Sequence, residues 1–256
     1  MNRGNKRLRN ALLDILTIML LGLVLLPIIW VFIASIRPDA DIMSRSPIPT
    51  EITFDHFAEI FARGDFLVAL RNSLIVGSLV AVCTVLIAVP AAYSLSRFTY
   101  LGRDFIGFLI LATQMLPAVA VLVPLVVIIR SLGLANTLTA LTFTHLALGL
   151  PIAVWMLKGY IDAVPRELEE AAVIDGSSQL GAMVRITLPL IRPAVVAVGT
   201  FAFVLSWGEF LLALALITGA EVKTLPLALQ TLFDPYSFSW GVVMAGGVVI
   251  AAPTVV

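Results

Sequence analysis

Long apolar runs broken by short polar clusters dominate the pattern along this chain. Charge-free stretches run from Ile15 to Ile36, Asn72 to Ser96, Phe105 to Ile129 and Ser131 to Leu157. Pro193–Ala220 is interrupted only by Glu209, and Pro235–Val256 follows. A helix rises about 1.5 Å per residue, so roughly 20 apolar residues cross a ~30 Å hydrocarbon core. Each run reaches that length. A bilayer leaves no water to satisfy the backbone, so only helices or closed barrels span it, and barrel strands alternate with period two. These runs do not alternate. The pattern predicts an all-α membrane protein of about six transmembrane helices.

The first run could be mistaken for a secretory signal, because Arg3, Lys6, Arg7 and Arg9 precede it. At about 22 residues it exceeds the roughly 7–15 of a signal's apolar region, and it reads as a retained helix. Lys and Arg in the connecting segments set the orientation. With the N-terminus inside, the inner segments carry Arg97, Arg103, Lys158, Arg166, Arg185 and Arg192 beyond the basic start. The outer ones carry Arg37, Arg45, Arg63, Arg71, Arg130 and Lys223. The inner excess predicts both termini in the cytoplasm. Pro27, Pro90, Pro117, Pro124 and Pro151 sit within or beside spans, where neighbouring helices can satisfy the carbonyls they free.

Composition narrows the function. The 256 residues are 60% hydrophobic and 12% charged, against roughly 25% charged in soluble domains. A formal net charge of zero offers no basic surplus for nucleic acid. Cys83 is the one cysteine, which rules out a disulfide framework within the chain, and two histidines make a metal site unexpected. No Gly-x-x-x-x-Gly-Lys-Ser/Thr occurs, so any ATP hydrolysis belongs to another chain and no cofactor is expected.

Two connections are longer than turns: Arg37–Asp65 outside, rich in acidic residues and proline and suited to an exposed cap or docking loop, and Lys158–Arg192 inside, between the fourth and fifth spans. Within the inner one, Pro165 suits a helix's first turn, and Glu167, Glu169 and Glu170 suit its positive end. Ala171 and Ala172 let a surface approach closely, and Gly176 supplies a left-handed C-terminal turn. Ser177 or Ser178 can cap a second helix leading through Leu188-Pro189 into the fifth span. Two readings are open from the residues alone: an amphipathic helix lying on the membrane with its glutamates solvated, or a docking element for a cytoplasmic partner.

Glu170-Ala171-Ala172, Asp175-Gly176, Leu188-Pro189 and Pro193 resemble the EAA loop of permease subunits of binding-protein-dependent ABC importers. Ala91–Phe98, Met115–Pro117 with Pro124, Leu132–Thr137 and Trp207–Phe210 are similar to the MalG-like carbohydrate permeases. The resemblance runs from about Phe54 onward. It implies that Glu170, Ala171, Ala172, Asp175 and Gly176 form a coupling contact in a groove of a separate ATPase. It also implies as partners a second homologous permease chain, two ATP-binding subunits and a periplasmic or lipid-anchored binding protein, all at the bacterial inner membrane. Residues 1–66 would form an N-terminal transmembrane helix and outer loop, and 67–256 the core transmembrane domain with the EAA loop at about 162–193. Gly208 stands where the family often has Asn, and the family continues past Val256, which implies a C-terminally incomplete last helix.

Glu209 is the single carboxylate within a span, and ionisable groups at that depth usually face a cavity or a partner. It is expected to line the translocation pathway with Trp207 and Pro117, hydrogen-bonding a sugar, or to be a paired or protonated structural glutamate at a subunit interface, or to lie close enough to the outer surface to be wet. His145 is expected to make a helix–helix hydrogen bond. An ion-coupled secondary transporter would need more midplane coordinating groups, and a membrane-embedded enzyme a cluster of nucleophile and base. An importer of a non-carbohydrate substrate is a further alternative. The sequence is read as the membrane half of an ATP-driven sugar, oligosaccharide or polyol importer.

Overall fold

The computed structural model describes residues 3–42, 46, 49, 51–233 and 238–255. Arg45, Pro235 and Val256 lie outside these, as do the side chains of Arg3, Lys6, Arg7 and Arg9. The described residues are all-helical. In chain order the helices are α1 (Arg3–Ser35), α2 (Asp39–Ile42), α3 (Asp55–Ala62), α4 (Gly64–Arg97), α5 (Arg103–Thr113), α6 (Ala118–Ser131) and α7 (Leu138–Asp162). There follow α8 (Arg166–Ile174), α9 (Gln179–Ala182), α10 (Leu188–Leu190), α11 (Arg192–Trp207), α12 (Leu211–Leu216), α13 (Leu225–Gln230) and α14 (Trp240–Val255). A π-helical turn over Met183–Thr187 joins α9 to α10.

Among the described residues, three helices are long and apolar enough to cross a membrane: Leu12–Ser35 of α1, α4 and α7. A fourth is added if Gln179–Leu190 and α11, bent by 79°, count as one. The other predicted runs are apolar but interrupted. The third breaks at Gln114–Pro117, where Pro117 cannot donate to the ladder and takes an extended ψ of 129°. The fifth stops at Trp207 and restarts at Leu211. The last is a 16-residue helix, about 24 Å long. Pro27, Pro90, Pro124 and Pro151 lie inside continuous helices.

The chain divides into two compact units. The first comprises residues 1–67 and 228–256. In it α1 is exposed on every side from Leu12 to Ile29 and free of charge from Ile15 onward, as a lipid-facing helix would be. The segment expected to be an exposed cap is partly folded: the Arg37 side chain and His56 are buried. His56 Nε2 lies 3.0 Å from the Arg37 carbonyl, and the Gly241 amide donates to Asp39 at 2.8 Å. A Cβ on Gly241 would overlap the His56 ring, so only glycine fits there.

The second unit, residues 68–227, is built on α4, α7 and α11. Ala88, Ala92, Ala153 and Ala194 bring the three backbones close, with Leu157, Ile161 and Val198 filling between them. Farther along, Val76, Val80, Leu141 and Ala202 meet Ala213 and Leu216 of α12. Gly77 sits so close to Phe203 that a Cβ would come within 2.8 Å of its ring. This packing fixes both ends of α7, and with them the two polar sites described next.

Candidate functional site

The helix α8 follows α7 after a short turn, and its inner side is held by one carboxylate. Glu169 Oε1 accepts from Arg97 Nε at 2.8 Å and from the Thr187 hydroxyl at 2.7 Å, while Oε2 accepts from the Tyr93 hydroxyl at 2.8 Å. Its donors come from the end of α4 and from the π-helical turn, and Glu169 itself is only 7% exposed. Around it, Arg97 Nη2 donates to the Val164 carbonyl and Arg166 Nη2 to the Ser96 carbonyl, both at 2.8 Å. Lys158 pairs with Asp162 at 2.6 Å. Burial alone would raise the Glu169 carboxyl. The bonds from Thr187, Tyr93 and Arg97, with the Arg97 charge, outweigh it and hold the group below the ordinary glutamate value.

Of the three glutamates at the start of α8, Glu169 is therefore the buried one, while Glu167 and Glu170 are exposed. Nothing local separates them, because all three suit a helix's first turns. The available signal was Arg97, a cation at the end of an apolar run, which needs a partner.

The outer side of α8 is formed as the sequence suggested. Pro165 immediately precedes the helix with ψ 131°. At the other end Gly176 takes φ +92°, its amide donates to Val173 and the Ser177 amide to Ala172. That is a Schellman turn, and a side chain at φ +92° is strained. The Ser178 hydroxyl, rather than that of Ser177, caps α9 by accepting from Gly181 at 3.1 Å. Glu170, Ala171, Asp175 and Gly176 are exposed and Ala172 is half-buried. Beside them Ile174 is 85% and Leu180 66% exposed, so small and large apolar groups share a surface with carboxylates. A cleft of ≈ 340 Å³ lies against this helix between Arg97, Arg166 and Gln179.

The second polar site is at the break after α11. Glu209 lies between α11 and α12, and its carboxylate accepts the Leu212 amide at 2.9 and 3.0 Å and the Ala213 amide at 3.3 Å, capping α12. His145 Nε2 of α7 is 3.5 Å from Glu209, and its Nδ1 is 2.7 Å from the Ser206 hydroxyl, which gives the expected helix–helix contact. These three side chains line a cavity of ≈ 220 Å³ with Val80, Leu148 and Ala202. Trp207, grouped with Glu209 from the sequence, is 1% exposed and stacks on Phe203 at 5.5 Å. Pro117 is exposed at the α5–α6 break; the neighbouring Gln114 side-chain amide donates to the Leu148 carbonyl at 3.4 Å. Leu148 lines cavities on both sides, so both helix breaks flank one stretch of α7.

The Leu132–Thr137 motif has a structural role. Gly133 and Asn136 adopt positive φ, Thr137 caps α7, and the Asn136 side chain accepts from the Thr218 and Gly219 amides at 2.9 and 2.7 Å. It pins the loop that follows α12.

Known proteins share both the sequence and the fold. Residues 84–256 match the family described as binding-protein-dependent transport system inner membrane component. The chain is 33% identical to the diacetylchitobiose uptake system permease protein DasC of Streptomyces coelicolor, over 93% of this chain and 87% of that one. It is 32% identical to the trehalose/maltose transport system permease protein MalG of Thermococcus litoralis, over 97% of this chain and 91% of the relative. In fold it resembles a solved bacterial ABC transporter involved in import of the acidic polysaccharide alginate, with a TM-score of 0.85 and 22% identity, covering 100% of this chain and 95% of that one. The MalG-like resemblance read from the motifs is borne out. This chain belongs to the binding-protein-dependent transport system inner membrane components, as a non-catalytic permease subunit of the inner membrane.

Proposed function

We propose that this permease forms half of the translocation pathway of an ABC importer for a sugar, oligosaccharide or polyol, and that it couples to a separate ATPase through Glu170, Ala171, Ala172, Asp175 and Gly176. The observation that carries the coupling reading is the two-sidedness of α8. Its inner side is anchored through Glu169, while the face bearing Glu170, Ala171 and Ile174 is left exposed and ends in a rigid left-handed turn. A helix lying on lipid has no need of such an anchor. The carbohydrate class is supported by the relatives named for diacetylchitobiose and trehalose/maltose, and by the alginate transporter of like fold.

Six crossings, with both termini cytoplasmic, accommodate the apolar elements: α1, α4, the broken α5–α6, α7, the broken α11–α12, and α14. Discontinuous helices within a membrane are tolerated where they line a cavity or are buried in protein. On that ground the pathway passes the two breaks beside Leu148, with Glu209 facing it, Pro117 opening the α5–α6 break and the Trp207 ring buttressing the turn before Glu209. The partners are a second homologous permease chain, two ATP-binding subunits and a binding protein that docks outside. Residues 67–256 act as the core and 1–66 as an N-terminal addition.

The test is affinity purification of the tagged chain from native membranes in mild detergent. Recovery of an ATP-binding subunit with the native chain, and its loss on joint replacement of Glu170 and Gly176, is the expected result. A native chain recovered alone, in a detergent that preserves comparable complexes, would overturn the reading.

A further inference from the structure

We propose that Glu169 is a positioning residue that makes α8, the cytoplasmic end of α4 and the turn entering α11 move as one body. Displacement of α8 by an ATP-binding subunit then reaches two transmembrane helices at once. The inference rests on reading α8 as the docking helix.

Three observations carry it. One carboxylate takes hydrogen bonds from Tyr93 and Arg97, more than 70 positions earlier in the chain, and from Thr187, 18 positions later. Loss of that group would therefore remove, in one step, the side-chain bonds that α8 makes to α4 and to the π-helical turn. Second, α8 has nine residues, and isolated helices below about 12–15 residues are marginal. A helix this short transmits displacement only where its neighbours hold it. Of the other bonds between α4 and this region, Arg97 to Val164 and Tyr93 to the Gln179 carbonyl share their donors with Glu169, and Arg166 to Ser96 and Ser96 to Asp162 are independent of it. Third, Thr187 is 1% exposed and closes the π-helical turn, just before the 79° bend leads into α11. A π turn inserts an extra residue per turn and recurs at functional positions. Here it brings the Thr187 hydroxyl onto Glu169. Neighbouring carboxylates thus divide the work: Glu170 faces outward for a partner, and Glu169 faces inward to carry its motion.

The experiment uses the whole assembly, with the native partner chains co-expressed, in lipid nanodiscs. A Leu148→Cys reporter in a Cys83→Ala background is labelled with a maleimide, with and without ATP and vanadate. In the parent, trapping is expected to change the labelling rate by at least about fivefold, the scale of a typical coupling between sites. In Glu169→Gln the ATP-binding subunit should still co-purify and hydrolyse ATP, while the labelling change falls below about twofold. Tyr93→Phe, which keeps the ring and removes one donor, should give an intermediate change; it decides the matter if Glu169→Gln fails to fold. Full retention of the nucleotide effect in these variants would overturn the inference, as would a parent whose labelling ignores nucleotide. Loss of the ATP-binding subunit from Glu169→Gln would also overturn it, by making Glu169 a docking residue. A parent that recruits no ATP-binding subunit would fail earlier, at the docking reading itself, and take the inference with it.

Discussion

Glu169 and Glu209 are both carboxylates held in the second unit, and they are held in opposite ways. Glu169 takes its three hydrogen bonds from side chains on two other elements, α4 and the π-helical turn. Glu209 takes its own from backbone amides three and four residues ahead, with one histidine facing it. The first joins parts of the chain that are distant in sequence, and the second finishes a local turn. A residue that caps its own helix can be changed with local consequences. One that ties three elements cannot.

That contrast can be broken experimentally, starting with the largest effect. Glu169→Ala leaves the buried Arg97 guanidinium uncompensated, and should destabilise the chain by about 3–5 kcal/mol, read as a lowered thermal unfolding midpoint in detergent. An equal loss from Glu209→Ala would erase the distinction. Acid gives the same comparison without changing Glu169 to alanine. Its folded pKa lies below the ordinary value, so the associated stability is complete above about pH 4.3 and is lost as pH falls through the folded value. The difference in midpoint between the native chain and Glu169→Gln should accordingly be constant near neutrality and shrink below about pH 4.3. A difference that grew on acidification would mean that the protonated form is the one stabilised.

Smaller effects sharpen the picture. Gly176→Ala forces a side chain into φ +92° and should cost about 1–2 kcal/mol, with reduced recovery of the ATP-binding subunit. Glu209→Ala removes the α12 cap and should cost about 1 kcal/mol. Ser206→Ala, which removes the hydroxyl beside His145, should cost about the same or less.

How much of this was legible in the sequence follows from the range of each interaction. The apolar runs marked where α1, α4 and α7 lie, because hydropathy is additive along the chain. Gly176 and Pro165 marked the ends of α8 for equally local reasons. The break at Gly208–Phe210 was hidden, since apolar composition continues across it and Glu209's capping role emerges only once Leu212 and Ala213 turn back onto it. The α5–α6 break was hidden too, since Pro117 carries the same local signal as Pro27, Pro90, Pro124 and Pro151, which stay inside continuous helices. Glu169 was the least legible. Its partners are set by how α4 and the π-helical turn pack, and the neighbouring Glu167 and Glu170 carry the same local pattern while remaining exposed.

The central claim, that the outer face of α8 meets an ATP-binding subunit, is tested most directly by site-specific photo-crosslinking in native membranes. A photoreactive residue at Ile174, on the exposed face, is compared with one at Leu20 in the lipid-exposed α1. A covalent adduct with an ATP-binding subunit is expected from position 174 and none from position 20. Adducts from position 174 with lipid alone, in membranes where the two chains still co-purify, would contradict that claim.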